Sequence, residues 1–153
     1  MNEDTFKQAA AERAITYVEQ GMRLGLGTGS TATFMLYALA ERLRDGRLRD
    51  IVGVATSSTT EKLARQLGIP LATLEQQPVL DLALDGADEI DPQLNLIKGL
   101  GGALLREKIV ASSAKRFIVI GSASKQVPHL GMNVPLPVEV VAFGLPLCIR
   151  RLR

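Results

Sequence analysis

Short apolar runs alternate with stretches of helical periodicity along this chain, and "LGLGTGSTA" (residues 24–32) sets three glycines where the first such run gives way to a helical pattern. A helix pattern over residues 4–19 places Phe6, Ala10, Ala14, Tyr17 and Val18 on one side, with Gly21 as its stop. Residues 22–26 then read as a strand, and residues 31–44, with Phe34, Leu36, Leu39, Ala40 and Leu43 at helical spacing, as the helix after it. The unit recurs. "IVGVAT" (51–56) reads as a buried strand, and Ser58 with Glu61 reads as a capping box opening a helix that runs through Leu67 and ends at Gly68. "VLDLALD" (79–85), "RFIVIG" (116–121) and "LPVEVVAF" (136–143) read as further strands, with a glycine-rich loop and a helix over 102–113 between the first two. This alternation predicts an α/β fold: a mostly parallel, Rossmann-like doubly wound sheet with helices on both faces, whose ligands bind beyond the carboxyl ends of the strands.

Composition narrows the function classes. At 153 residues and 46% hydrophobic content the chain has enough apolar material for one domain with its own core. Eighteen basic residues against 16 acidic ones leave a formal charge of +2, which argues against a nucleic-acid or membrane partner. Cys148 stands alone, so no internal disulfide forms, and it reads as a buried thiol in a reducing compartment. The start, "MNEDTFKQ", lacks the pattern of a signal peptide, and the most apolar region, 130–149, is interrupted by Pro135, Pro137, Glu139 and Pro146. A cytoplasmic protein is expected.

"GTGSTA" (27–32) fits the G-x-G-x-x-A spacing of a dinucleotide site. Such a site also wants an acid at the end of the second strand, and that strand ends in Thr56, Ser57 and Ser58. No lysine follows the last glycine at Walker spacing. Two readings remain. In one, backbone N–H groups of Thr28, Gly29, Ser30 and Thr31 at a helix N-terminus, with the hydroxyls of Thr28, Ser30 and Thr31, bind a single phosphate. In the other the segment is a tight strand-to-helix turn with an ordinary hydroxyl cap.

The segment 84–108, "LDGADEIDPQLNLIKGLGGALLREK", carries most of the chemistry. Asp85, Asp88, Glu89 and Asp91 crowd a predicted strand end, where mutual repulsion is expected to raise at least one carboxyl pKa. Lys98 follows in a glycine-rich loop, a compact cation suited to an oxyanion or phosphate, and Glu107 falls in the early turns of the next helix. Acid, cation and base for moving a proton next to a carbonyl are thus expected on two adjacent loops. The plainer reading makes the acids a solvated turn and Glu107, between Arg106 and Lys108, a surface helix residue. The carboxylates do not have the spacing of an EF-hand, and His129 is remote from them and reads as a loop residue, so no metal is expected.

Taken together, "GLGTGSTA" (25–32), "TSSTTEKLARQLGI" (56–69), "DGADEID" (85–91), "KGLGGALLREKI" (98–109), "ASKQV" (123–127) and "LPVEV" (136–140) resemble the A-type ribose-5-phosphate isomerase family, in order and in spacing. The resemblance implies a small-molecule substrate: interconversion of ribose 5-phosphate and ribulose 5-phosphate through an enediolate, without metal or organic cofactor. It implies Glu107 as the base between C1 and C2, and a substrate site formed by Thr28, Gly29, Ser30 and Thr31, by Asp85, Gly86, Ala87 and Asp88, and by Lys98, Gly99, Leu100 and Gly101. Lys125 would add a contact, and Lys7 matches a family lysine near the phosphate. Lys98 would stabilise the enediolate oxygen while Asp85 or Asp88 assists ring opening. Leu100 stands where many members have glycine. Members of the family continue past the "LPVEV" strand into a small α+β subdomain, so the resemblance implies a shortened member: an isomerase domain over 1–143, a short basic tail over 144–153, and homodimer formation as in the family. Two other readings stay open: a phosphosugar-binding sensor module, which would need the phosphate loop but no base, and an inactive fragment of the isomerase.

Overall fold

The computed structural model describes residues 2–152. Its elements run α1 (Glu3–Ile15), β1 (Arg23–Leu26), α2 (Ser30–Arg44), β2 (Val52–Ala55), α3 (Ser58–Gln66), β3 (Leu82–Asp85), β4 (Glu89–Ile90), β5 (Leu96–Ile97), α4 (Leu104–Ser112), β6 (Phe117–Val119) and α5 (Leu145–Leu152). Four strands form one parallel sheet in the order β2-β1-β3-β6, and β4 and β5 pair as a separate antiparallel hairpin.

Alternation along β1 settles which helices cover which face. Leu24 and Leu26 point to one side, where they are fully buried with Ile15 of α1 and with Met35, Leu36 and Leu39 of α2. Gly25 points to the other side, where α4 lies so close that a Cβ on Gly25 would come within 2.6 Å of Val110 Cγ1. Helices therefore cover both faces, and burying each of the large aliphatic side chains contributes about 1.5–3 kcal/mol.

Several boundaries differ from the sequence reading. The first helix ends at Ile15, because Thr16, Tyr17 and Val18 donate to carbonyls three residues back and tighten the chain into a turn. Val18 nevertheless enters the core, so the apolar spacing outlasts the helix. The cap of α3 is Ser57, whose side chain accepts from the Thr60 N–H, and not Ser58; Glu61 turns outward to Arg65, 2.8 Å away. The hairpin between Asp85 and Lys98 has strands of two residues each, too short to show a period.

The largest difference lies at 136–143, which is not a strand. Pro135 and Pro137 have no N–H to donate to a ladder, and the segment runs without regular structure into a 3₁₀ turn at Ala142–Gly144. Leu136, Val138, Val141 and Phe143 are exposed there, Phe143 at 98%. The basic tail includes a helix, α5, which packs chiefly on that turn and buries none of its residues. Cys148 on it is half-buried rather than buried.

Candidate functional site

The carboxyl ends of β1 and β3 lie side by side, and Gly27 lets them close up: a Cβ there would stand 2.2 Å from Asp85 Oδ1. Asp85 is buried, 3% exposed, and its Oδ1 accepts from the N–H groups of Thr28 (3.0 Å) and Gly86 (2.7 Å). The β4–β5 hairpin returns the chain to this strand end and delivers Lys98. Its Nζ lies 3.2 Å from Asp85 Oδ2 and 3.4 Å from Glu107 Oε2, and it donates to the Gly86 carbonyl. Gly99, at φ +105°, makes the turn that follows, a conformation L side chains rarely adopt.

Glu107 is 6% exposed and sits in the first turn of α4, facing inward rather than into solvent between Arg106 and Lys108. Burial, and then the charge of Asp85, push its carboxyl up from the ordinary value, against the pull of the Lys98 ammonium. Burial likewise pushes Asp85 up, opposed by Lys98 and by the two backbone donors. Desolvation, not crowding within the acidic run, is thus the leading cause of both shifts.

The other two acids of that run have structural work. Glu89 is fully buried away from the cleft, and its carboxylate accepts from the N–H groups of Gly131, Asn133 and Val134. Those donors outweigh the effect of burial and hold it below the usual glutamate range. Asp91 closes the hairpin turn by accepting from Asn95 Nδ2 and from the N–H groups of Gln93 and Asn95, which lowers its pKa. Neither is placed for proton transfer in the cleft.

Across from Lys98 stands the N-terminus of α2. Gly29, at φ +114°, precedes it, no side chain caps it, and the N–H groups of Ser30, Thr31 and Ala32 have no acceptor within the helix. The cleft between, about 290 Å³, is lined by Lys7, Thr28, Gly29, Ser30, Thr31, Gly86, Ala87, Asp88, Lys98, Gly99, Gly101, Glu107 and Lys125, with Ala32. Two expected residues stand apart. Asp85 lies beneath this surface as the buried partner of Lys98, and the Leu100 side chain is exposed while its N–H donates to Asp88 Oδ2 at 3.1 Å. Thr28 is committed on both sides, its N–H to Asp85 and its hydroxyl to those of Thr56, Ser57 and Thr60, so the open donors begin at Gly29.

Glu3 and Ser124 also line the cleft, and sequence reasoning missed both. Glu3 Oε1 accepts from Ser122 Oγ (2.8 Å) and Ser124 Oγ (3.4 Å), tying the start of α1, which carries Lys7, to the turn that carries Lys125. A contact spanning 119 positions leaves no local signal. Among the described residues no group of three His, Cys, Asp or Glu side chains is arranged as metal ligands, and no helix is long and apolar enough to cross a membrane.

The family model for ribose 5-phosphate isomerase A (phosphoriboisomerase A) matches residues 52–153. The chain belongs to this family. It is 69% identical over 153 residues to ribose-5-phosphate isomerase A of Roseiflexus sp. (strain RS-1), covering all of this chain and 66% of that one. With a probable ribose-5-phosphate isomerase 2 of Arabidopsis thaliana it shares 49% over 154 residues, 100% of this chain and 58% of the other. Among solved structures, a D-ribose-5-phosphate isomerase in complex with phospho-erythronic acid superposes with a TM-score of 0.97 at 44% identity, over 99% of this chain and 66% of that one. Ribose 5-phosphate isomerase from Plasmodium falciparum superposes with a TM-score of 0.93 at 48% identity, over 97% and 64%. The chain thus spans between 58% and 66% of the length of these relatives.

Proposed function

We propose that this chain interconverts ribose 5-phosphate and ribulose 5-phosphate, as the names of its family and relatives support. The observation that carries the reading is the Lys98 ammonium held between two buried carboxylates, with an uncapped helix N-terminus across the cleft. That a solved relative was obtained with phospho-erythronic acid, a phosphorylated acid, agrees with a cleft that takes an anion.

In this reading the phosphate sits on the N–H groups of Gly29, Ser30 and Thr31, with Lys7 and Lys125 at its flanks. The chain of the open sugar extends toward Lys98. Glu107 removes the proton from C2 of the aldose, the electron pair moves to form the enediolate, and Lys98 stabilises the charge that develops on oxygen. Glu107 then returns the proton to C1, giving the ketose with no net change in atoms. Of Asp85 and Asp88, it is Asp88, which lines the cleft, that serves ring opening and the exchange of protons between the two oxygens, while Asp85 holds Lys98 from beneath. A carboxylate whose pKa is raised by burial is better matched to removing a carbon-bound proton than a solvated one.

Residues 1–143 form the isomerase domain in this proposal and 144–153 a separate tail. The exposed apolar side chains between Leu136 and Leu152 support a homo-oligomer, a dimer being the simplest, and the lone cysteine fits a cytoplasmic setting. The deciding test is conversion of ribose 5-phosphate to ribulose 5-phosphate by the purified chain, with Glu107→Gln as control. Turnover that the variant loses supports the proposal; a chain that binds the sugar phosphate without converting it is a binding module instead.

A further inference from the structure

Behind the glycine loop four hydroxyls meet, that of Thr28 from the loop itself and those of Thr56, Ser57 and Thr60 from the end of β2 and the start of α3. Thr28 Oγ1 lies 2.7 Å from Thr56 Oγ1, 2.8 Å from Ser57 Oγ and 3.0 Å from Thr60 Oγ1, and Ser57 Oγ is 3.1 Å from Thr60 Oγ1. Two backbone carbonyls fix the direction of the protons, since a carbonyl can only accept. Thr56 donates to the Leu26 carbonyl at 3.0 Å and Thr60 to the Gly27 carbonyl at 2.9 Å. Ser57 then donates to Thr60, and the one proton left, that of Thr28, goes to Ser57. Every hydroxyl is used.

We infer that Thr60 is a positioning residue for the anion-binding loop. It is 4% exposed, does not line the cleft, and touches no reacting group, yet it donates to the Gly27 carbonyl and accepts from Ser57, which in turn accepts from the Thr28 hydroxyl. Between the Gly27 carbonyl and the Thr28 hydroxyl lies the N–H that goes to Asp85, and one residue further on Gly29 turns the chain into α2. The aim of the free N–H groups of α2 and the orientation of Asp85 therefore depend on one clamp supplied from α3. A valine at position 60 would keep the volume and remove the donor, leaving the buried Gly27 carbonyl without the hydroxyl and the loop free to rotate away from its aim.

The inference rests on reading the α2 N-terminus as the phosphate end of the site, and its test separates the two. KM and kcat for ribose 5-phosphate and calorimetric affinity for inorganic phosphate are measured on the unaltered chain, Thr60→Val and Thr60→Ser, with folding checked by circular dichroism. Thr60→Val is expected to weaken phosphate affinity and raise KM about tenfold, the effect of losing roughly one hydrogen bond, and Thr60→Ser to restore both. A residue that served stability alone would lower the melting temperature and the folded fraction but leave the affinity of the folded molecules unchanged. Should Thr60→Val fail to fold, Thr28→Val against Thr28→Ser breaks and restores the same clamp from its cleft end, and the same split is expected. Unchanged affinities in folded Thr60→Val, a serine as weak as the valine, or an unaltered chain that binds no phosphate would overturn the inference. Phosphate binding that follows the Val and Ser pattern in a chain without turnover would uphold the clamp and remove the isomerase reading.

Discussion

Glu107 Oε2 lies 3.4 Å from Lys98 Nζ and, buried as it is, has no hydrogen-bond partner among the described residues. A carboxylate oxygen with a cation near it and no donor on it keeps a free lone pair, which is what a base aimed at a carbon-bound proton needs. Glu107→Gln preserves shape and removes the basicity. The expected result is a fall in kcat of about 10²–10⁴-fold with ribose 5-phosphate still bound. Steady-state kinetics and a binding isotherm on the same preparation check it. The acid limb of the kcat/KM profile of the unaltered chain should lie above pH 4.5, the ordinary value from which burial raises this carboxyl.

Lys98 neutralises two buried carboxylates, and removing it should show in stability before activity is considered. Lys98→Met leaves Asp85 and Glu107 facing each other without the cation, which costs about 3–5 kcal/mol at neutral pH if both stay charged. Both carboxyls already have raised pKa values in the folded chain. The folded state then holds these protons more tightly than the unfolded chain does, so acidification favours the folded state, and without Lys98 that effect should grow. Urea denaturation of Lys98→Met is expected to show a stability deficit at pH 7 that shrinks as the pH falls toward the raised pKa values. A deficit independent of pH would remove the two carboxylates as its cause.

The sheet and the chemical residues were legible because each leaves a local trace. Glycines at 25, 27 and 29 mark a close helix, a close strand and a left-handed turn, and the structure uses them for those three purposes. Lys98 and Glu107 were legible through their motifs, although only the fold shows that Glu107 faces inward. The role of Glu89 is not legible locally, because an acid beside Asp88 looks the same whether it faces a cleft or accepts N–H groups from residues 131–134, more than forty positions away. Glu3 and Thr60 act through partners 119 and 33 positions distant, and no periodicity encodes such pairings. At 136–143 apolar content suggests a strand, while Pro135 and Pro137 deny it a ladder.

The apolar residues of that segment predict behaviour in solution. Val141 is 80% and Phe143 98% exposed, so polar replacements there lose almost no burial within this chain. Val141→Ser with Phe143→Ser is expected to leave the melting temperature within about 2 °C, the shift that a change of roughly half a kcal/mol produces. The same pair should reduce self-association, measured by sedimentation at several concentrations. Association unchanged by the double replacement would place the contact between copies elsewhere.

Gly27 offers the sharpest test of how backbone approach builds the site. Its φ is not in the left-handed region, so an alanine meets no torsional objection; the obstacle is space. The added Cβ would lie 2.2 Å from Asp85 Oδ1, 2.5 Å from its Cγ and 2.6 Å from its Cα. A flexible side chain could swing away from such a contact, but a strand Cα cannot without separating β1 from β3. Gly27→Ala should therefore destabilise the fold by about 1–3 kcal/mol and draw Asp85 off the Thr28 N–H and off Lys98. Because Lys98 also holds Glu107, kcat should fall more than the lost folded fraction explains. Denaturation curves give that fraction, and kcat per folded molecule gives the remainder. If kcat per folded molecule is unchanged, the contact between Gly27 and Asp85 matters for packing alone.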